Sequence, residues 1–144
     1  MKNIECKFPL YFENFEIPIW AKEQELEVFR ACPTGKIEKE SFLNSYEENN
    51  FKVELGFESD NPQVYSLSSY LKFRDIKRFA TMNSQYDVPF IIAKGITSPD
   101  CGPCLETQKW KKALGQRYKG SHVDWWLYDN AEPWIYFREF EEVN

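Results

Sequence analysis

Three short segments carry residue types able to do chemistry, each set in an apolar run. Arg30 lies in Val28-Phe29-Arg30-Ala31-Cys32, and Ser66 and Ser68 lie in Tyr65-Ser66-Leu67-Ser68-Ser69-Tyr70. His122 and Asp124 open the third, His122-Val123-Asp124-Trp125-Trp126-Leu127-Tyr128. An arginine fork reads a phosphate through two parallel hydrogen bonds. A carboxylate beside a developing cation stabilises it. His122 and Asp124 are two residues apart, so a strand presents them on one face. Plain structural roles compete with these. Arg30 suits a strand arginine paired with one of many glutamates. The serines suit strand-end and cap positions. His122 and Asp124 suit a pair with each other or with a basic helix. Any His-dependent triad must use His122, the only histidine. No serine-hydrolase elbow, phosphate-binding loop or HExxH motif is present.

A second constellation is Cys101-Gly102-Pro103-Cys104. It resembles the redox motif of thioredoxins, following a strand-like run and preceding a helix-like one. A helix N-terminus lowers a thiol pKa, so Cys101 is expected to be reactive. The motif stands late in the chain, Asp100 fills the place of the usual tryptophan, and no cis-proline context follows. Reduced cysteines, dispensable for function, are therefore expected, with a thiol-disulfide role as an alternative. Zinc needs about four ligands, and this motif with His122 supplies three, so no metal is expected. Cys6 and Cys32 read as small buried hydrophobes.

Positioning these groups requires an α+β arrangement. Strands are expected at 6–12, 26–32, 51–57, 64–68, 88–93 and 122–128. Helices are expected at 37–49, 70–81 with Ser69 as cap, 103–118 and 130–141, and a helical turn at 19–25. The apolar face of the 70–81 helix is Leu71, Phe73, Ile76, Phe79 and Ala80. The strands do not alternate strictly with helices. One domain over residues 1–144 is expected, a twisted, mainly antiparallel sheet with flanking helices.

Aromatic residues make up 17% of the chain, enough buried area for a compact core. No run approaches the roughly 18 apolar residues that span a membrane, and Met1 to Cys6 lacks a signal-peptide core. A cytoplasmic protein with no membrane partner is expected. The net charge of -5 makes nucleic acid an unlikely partner. Charge is unevenly placed. Residues 1–60 hold 13 acids and 7 bases, and residues 71–119 hold 4 acids and 10 bases. Two basic clusters, Lys72, Arg74, Lys77, Arg78 and Lys109, Lys111, Lys112, Arg117, Lys119, read as solvated helix faces or as a local site for a dinucleotide or phosphate.

The order Arg30, Ser66-x-Ser68, Asp124 resembles the Arg, Ser-x-Ser, acid pattern of the ADP-ribosyltransferase family, across roughly residues 26–128. The resemblance implies that fold, with Asp124 and Ser68 as catalytic residues and Arg30, Ser66, Tyr70 and His122 as ligand-binding ones. It implies NAD as the cofactor of an enzyme: Arg30 on its phosphates or ribose, the serines on the nicotinamide side, Tyr70 stacking. Asp124 stands in the place of the glutamate that binds the nicotinamide ribose. Asp124 is one methylene shorter than that glutamate, and His122 replaces the Glu or Gln two residues before it. Separately, the stretch from Lys119 to Tyr128 resembles segments of small uncharacterised proteins on mobile elements of Gram-positive bacteria. That resemblance implies an accessory or anti-defence role. The leading expectation is a small interaction protein on a degenerate ADP-ribosyltransferase-like fold, binding a protein partner. The Glu-rich stretches and Trp125-Trp126 would supply its exposed face. An NAD-dependent ADP-ribosyltransferase is the alternative.

Overall fold

Glu27–Cys32 forms strand β1, buried at every position after its first. A strand buried on both faces belongs inside a sheet, with neighbours satisfying its amides on both edges. Those neighbours are β2 (Leu67–Tyr70) and β3 (Ile91–Ile96). The computed structural model describes residues 7–83 and 89–141. Strands β4 (Cys104–Glu106), β5 (His122–Trp125) and β6 (Phe137–Glu139) complete the sheet. The spatial order is β4-β5-β2-β1-β3-β6, and every pairing is antiparallel. Among the described residues, three α-helices accompany it: α1 (Ser45–Glu48), α2 (Phe73–Asn83) and α3 (Thr107–Ala113). The chain is a mixed α+β single domain.

Register decides which side chains share a face. Phe29 stands opposite Tyr70, Tyr70 opposite His122, and Ser68 opposite Asp124. Directly opposed residues project to the same side. That side is covered by α2 and α3: Ile76 and Ala80 of α2 pack on Phe29 and Ala31, as the apolar spacing of that helix predicts. Arg30, one residue beyond Phe29, projects to the other side. There Val28, Cys32, Leu67, Val123, Trp125 and Phe137 form the largest core cluster with Phe42.

Several expected elements differ. Residues 51–57 form turns rather than a strand, with Asn50 and Phe51 at φ +56° and +61°. Their apolar alternation is real, but they pair with no strand of the sheet. The 37–49 helix is reduced to a single turn at 39–41 and to α1, which Asn44 and Glu47 cap reciprocally. Asn44, extended at ψ 172°, interrupts the run, and the Ser41 carbonyl accepts from Arg30 Nε (3.1 Å) and Nη2 (2.9 Å) rather than from Ser45 N. The strand expected at 64–68 is shifted to 67–70, behind a turn at 62–65. Ser69 sits within β2 rather than capping α2, because Tyr70 still pairs with His122. The 103–118 helix yields its first turn to β4, which pairs with β5, and ends at Ala113 rather than Tyr118. The 130–141 helix is a turn at 133–136 followed by β6. Residues 19–25 and 7–9 are not helix and strand, and Leu10–Asn14 is a 3-10 helix. The strand expected at 88–93 is observed as β3 at 91–96, and that expected at 122–128 ends at Trp125; Cys6 and Val88 lie outside the described residues.

Candidate functional site

Asp124 has no solvent exposure. One carboxylate oxygen accepts from Ser66 Oγ (2.7 Å). The other accepts from Thr107 Oγ1 (2.7 Å) and Trp110 Nε1 (2.9 Å). Thr107 Oγ1 also contacts His122 Nδ1. A hydroxyl has one proton, and giving it to the carboxylate makes His122 Nδ1 the donor to Thr107. Burial, the largest effect, lowers the His122 pKa below its ordinary value against the pull of Asp124, whose Oδ1 is 3.7 Å away. The arrangement is a closed polar network that pins α3 to β5 and to Ser66, the residue before β2. A carboxylate sealed by three donors offers nothing to a developing cation on a substrate.

The same network predicts a pH dependence. Native His122 stays neutral where the unfolded chain takes up a proton, so the unfolded state binds more protons as pH falls below about 6.5. Stability is then lost with falling pH through that window, with a limiting slope of about 1.4 kcal/mol per pH unit. Urea unfolding at a series of pH values from about 7.5 to about 5 measures it, against the ordinary His value as reference. His122→Gln should flatten that limb. Asp75 and Asp100, held below the usual carboxylate range mainly by hydrogen bonds from Ser121 and from Ser98 and Tyr136, act only at lower pH.

Arg30 does not join this group. It is buried on the opposite side of the sheet, with its fork on the Ser41 carbonyl and Nη1 on the Ser68 carbonyl (2.9 Å). Its guanidinium carbon lies 5.9 Å from the centre of the Phe42 ring. Arg30 therefore does not share a face with Ser68, His122 and Asp124, because register places it one residue out of phase with them. Ser66 is consumed by Asp124. Tyr70 packs edge-on against His122 and near Phe79, inside the α2 layer. Ser68 reaches the lining of a surface pocket. Thr107 and Trp110, which the network depends on, lie 17 and 14 residues from Asp124, and no local pattern announces them.

The Cys-Gly-Pro-Cys segment is a packed corner. Cys101 ends a 3-10 turn and Cys104 begins β4, so neither sits at an α-helix N-terminus. Both are free, buried thiols. Burial, reinforced by Asp100, pushes Cys101 up to about 12, and burial raises Cys104. This corrects the expectation of a reactive, low-pKa Cys101: the reactive thiolate is disfavoured rather than stabilised. The backbone of the segment is used throughout. The Cys101 and Pro103 carbonyls accept from Tyr128 (2.8 Å) and Trp126 (2.9 Å), and Gly102 accepts from Trp125 Nε1 (3.1 Å). Cys32 is likewise buried, and burial raises its thiol to about 11.

What stands open to solvent is elsewhere. Trp125 and Trp126 are fully buried, so they supply no exposed face. Phe51 (60%), Leu55 (97%) and Phe57 (48%) are exposed instead. They belong to the segment that forms no strand, where Asn49-Asn50 and Ser59-Asp60-Asn61-Pro62 are the turn signals that mark it as a loop. Tyr65 Oη, hydrogen-bonded to the Ser59 carbonyl (2.6 Å), anchors the end of this loop. Beside Phe57 is a pocket of about 230 Å³ lined by Ser45, Glu54, Phe57, Gln63, Val64 and Ser68. Desolvation first, and then repulsion from Glu47 and Glu54, raise the Glu48 carboxyl against the pull of Arg30, so acidic groups crowd this side. No protein-family model matches the chain, and no curated protein or solved structure matches it. Among the described residues, no helix is long and apolar enough to cross a membrane, and no group of three or more His, Cys, Asp or Glu could hold a metal ion.

Proposed function

We propose that this chain is a non-enzymatic interaction protein whose acidic, aromatic face around residues 45–68 docks a cationic segment of a partner protein. The observation that carries this reading is the pocket beside Phe57. Its polar lining consists of groups able to accept hydrogen bonds: the Glu54 carboxylate, the Ser45 and Ser68 hydroxyls and the Gln63 carbonyl. The Phe57 ring adds an aromatic surface. A carboxylate and a ring suit an arginine, whose planar guanidinium pairs with one and stacks on the other. The volume admits one long side chain. Exposed Leu55 and Phe51 supply apolar contact around it, and Glu58 and Asp60 extend the acidic field. An accessory or anti-defence protein needs no more than such a surface. The sealing of Asp124 and the placement of Arg30 support binding over turnover.

The experiment uses a short fluorescein-labelled peptide alternating arginine and leucine, and its neutral citrulline counterpart. Anisotropy should show binding of the first that weakens with salt. Combining Glu54→Gln with Phe57→Ala should weaken it by about tenfold or more, the scale of one charge-assisted hydrogen bond. Equal binding of the citrulline peptide, or an unaffected variant, overturns the reading.

A further inference from the structure

The two basic clusters of the sequence lie far apart along the chain, yet residues from both line one cleft of about 580 Å³. Lys72 immediately precedes α2, and Arg74 and Arg78 stand one turn apart on it. Lys119, Gly120 and Ser121 come from the connection into β5, and Glu106 and Gln108 from the start of α3. The connection is tied to α2 by hydrogen bonds. Leu71 N donates to the Ser121 carbonyl (2.9 Å), and Lys72 N donates to Ser121 Oγ (3.0 Å). The two walls are therefore held at a set separation.

The acids in the cleft are already engaged. Asp75 accepts from Ser121 N (3.1 Å) and Ser121 Oγ (2.7 Å), and those bonds hold its pKa down. Glu106 pairs with Lys109 at 3.0 Å. Arg74 reaches Asp75 only at 4.0 Å. Lys72, Arg78 and Lys119 form no ion pair with another described residue. Four cations thus face two carboxylates whose charges serve the frame of the cleft. Like charges gathered in a concavity raise the local concentration of anions, and the volume lies within the range of small-molecule sites. The chain as a whole is acidic, which disfavours an extended polyanion.

We propose that this cleft binds the phosphate groups of a small phosphorylated molecule. Arg74, Arg78, Lys72 and Lys119 contact the phosphate oxygens, and Gln108 offers a neutral amide to the rest of the ligand. The inference does not rest on the docking face around Phe57, which lies on other elements.

Titration calorimetry with inorganic pyrophosphate at low salt tests it. Binding is expected, and the Arg78→Ala, Lys119→Ala pair should weaken it by about tenfold or more per charge removed, as for hydrogen bonds to charged groups. All three side chains involved in the comparison are exposed, so folding should survive. Lys94→Ala, remote on β3, should leave the affinity within about twofold, since it removes only long-range attraction. Absence of heat with pyrophosphate, or a loss from Lys94→Ala equal to that from the cleft pair, overturns the assignment. So does a single-stranded oligonucleotide that displaces pyrophosphate with an affinity about a hundredfold higher, a pattern of backbone tracking by nucleic acid.

Discussion

Replacing Asp124 with alanine should lower the unfolding free energy by about 3–5 kcal/mol, the scale of breaking a buried charged network. The substitution removes the acceptor for three donors at once: Ser66 Oγ, Thr107 Oγ1 and Trp110 Nε1. None of the three has water at hand, because Asp124 is fully buried and its partners are enclosed with it. Each buried donor left unpaired costs about 1–3 kcal/mol, and the void adds to that. Asp124→Asn keeps the size and one acceptor oxygen but turns an NH2 toward a donor, so a smaller loss of about 1–3 kcal/mol is expected. Urea unfolding at neutral pH gives both values. A loss below about 1 kcal/mol for the alanine variant would contradict a structural Asp124. Carboxylates kept for chemistry behave that way, since functional sites trade stability for activity.

Gly102→Ala should cost about 3 kcal/mol or more, from two sources that add. A Cβ there would overlap the Trp126 carbonyl oxygen and lie 3.1 Å from the carbonyl carbon and from Leu127 Cα. Those atoms are backbone and cannot step aside, because the flanking amides of Trp126 and Tyr128 are hydrogen-bonded to Pro103 and Cys101. Overpacking of this kind costs about 1–3 kcal/mol. The residue also has φ +139°, which adds about 1–3 kcal/mol for any L side chain. Gly115 is the control. Its φ is +76°, and a Cβ there meets nothing within 4 Å. Gly115→Ala should therefore cost only about 1–2 kcal/mol, the left-handed conformation by itself. Equal losses at the two positions, read from urea midpoints, would show that the corner yields and that the close approach to Trp126 is not what requires glycine. The outcome also bears on the tetrapeptide. If Gly102 is held by packing, the motif serves the corner, and its sulfurs are buried as a consequence.

The elements legible in the chain are those whose signal is local. β1 is readable because Val28, Phe29, Ala31 and Cys32 gather just before the Pro33-Thr34-Gly35 stop. The buried face of α2 is readable because Ile76 and Ala80 recur one turn apart. The segregation of charge into acidic ends and a basic middle is a property of the sequence alone. What it lacks is register. Side chains in a strand alternate with period two, so a shift of one residue reverses the face. Only the pairing of Phe29 with Tyr70 sends Arg30 to one side and Asp124 to the other. The order Arg, Ser, acid contains no information about that. Pairing also decided the fate of residues 51–57, whose alternation suits a strand that finds no partner. Likewise, the run from 37 to 49, whose periodicity favours one helix, is interrupted where the Ser41 carbonyl accepts the Arg30 fork. The basic cleft follows the same logic. Each cluster is visible along the chain, but the meeting of Lys119 with the first cluster depends on the hydrogen bonds between Ser121 and the residues at the start of α2, among them Lys72, 49 residues away along the chain. Local preference sets what each segment can be, and contacts between distant segments choose among those options, because backbone pairing and burial are satisfied only in three dimensions.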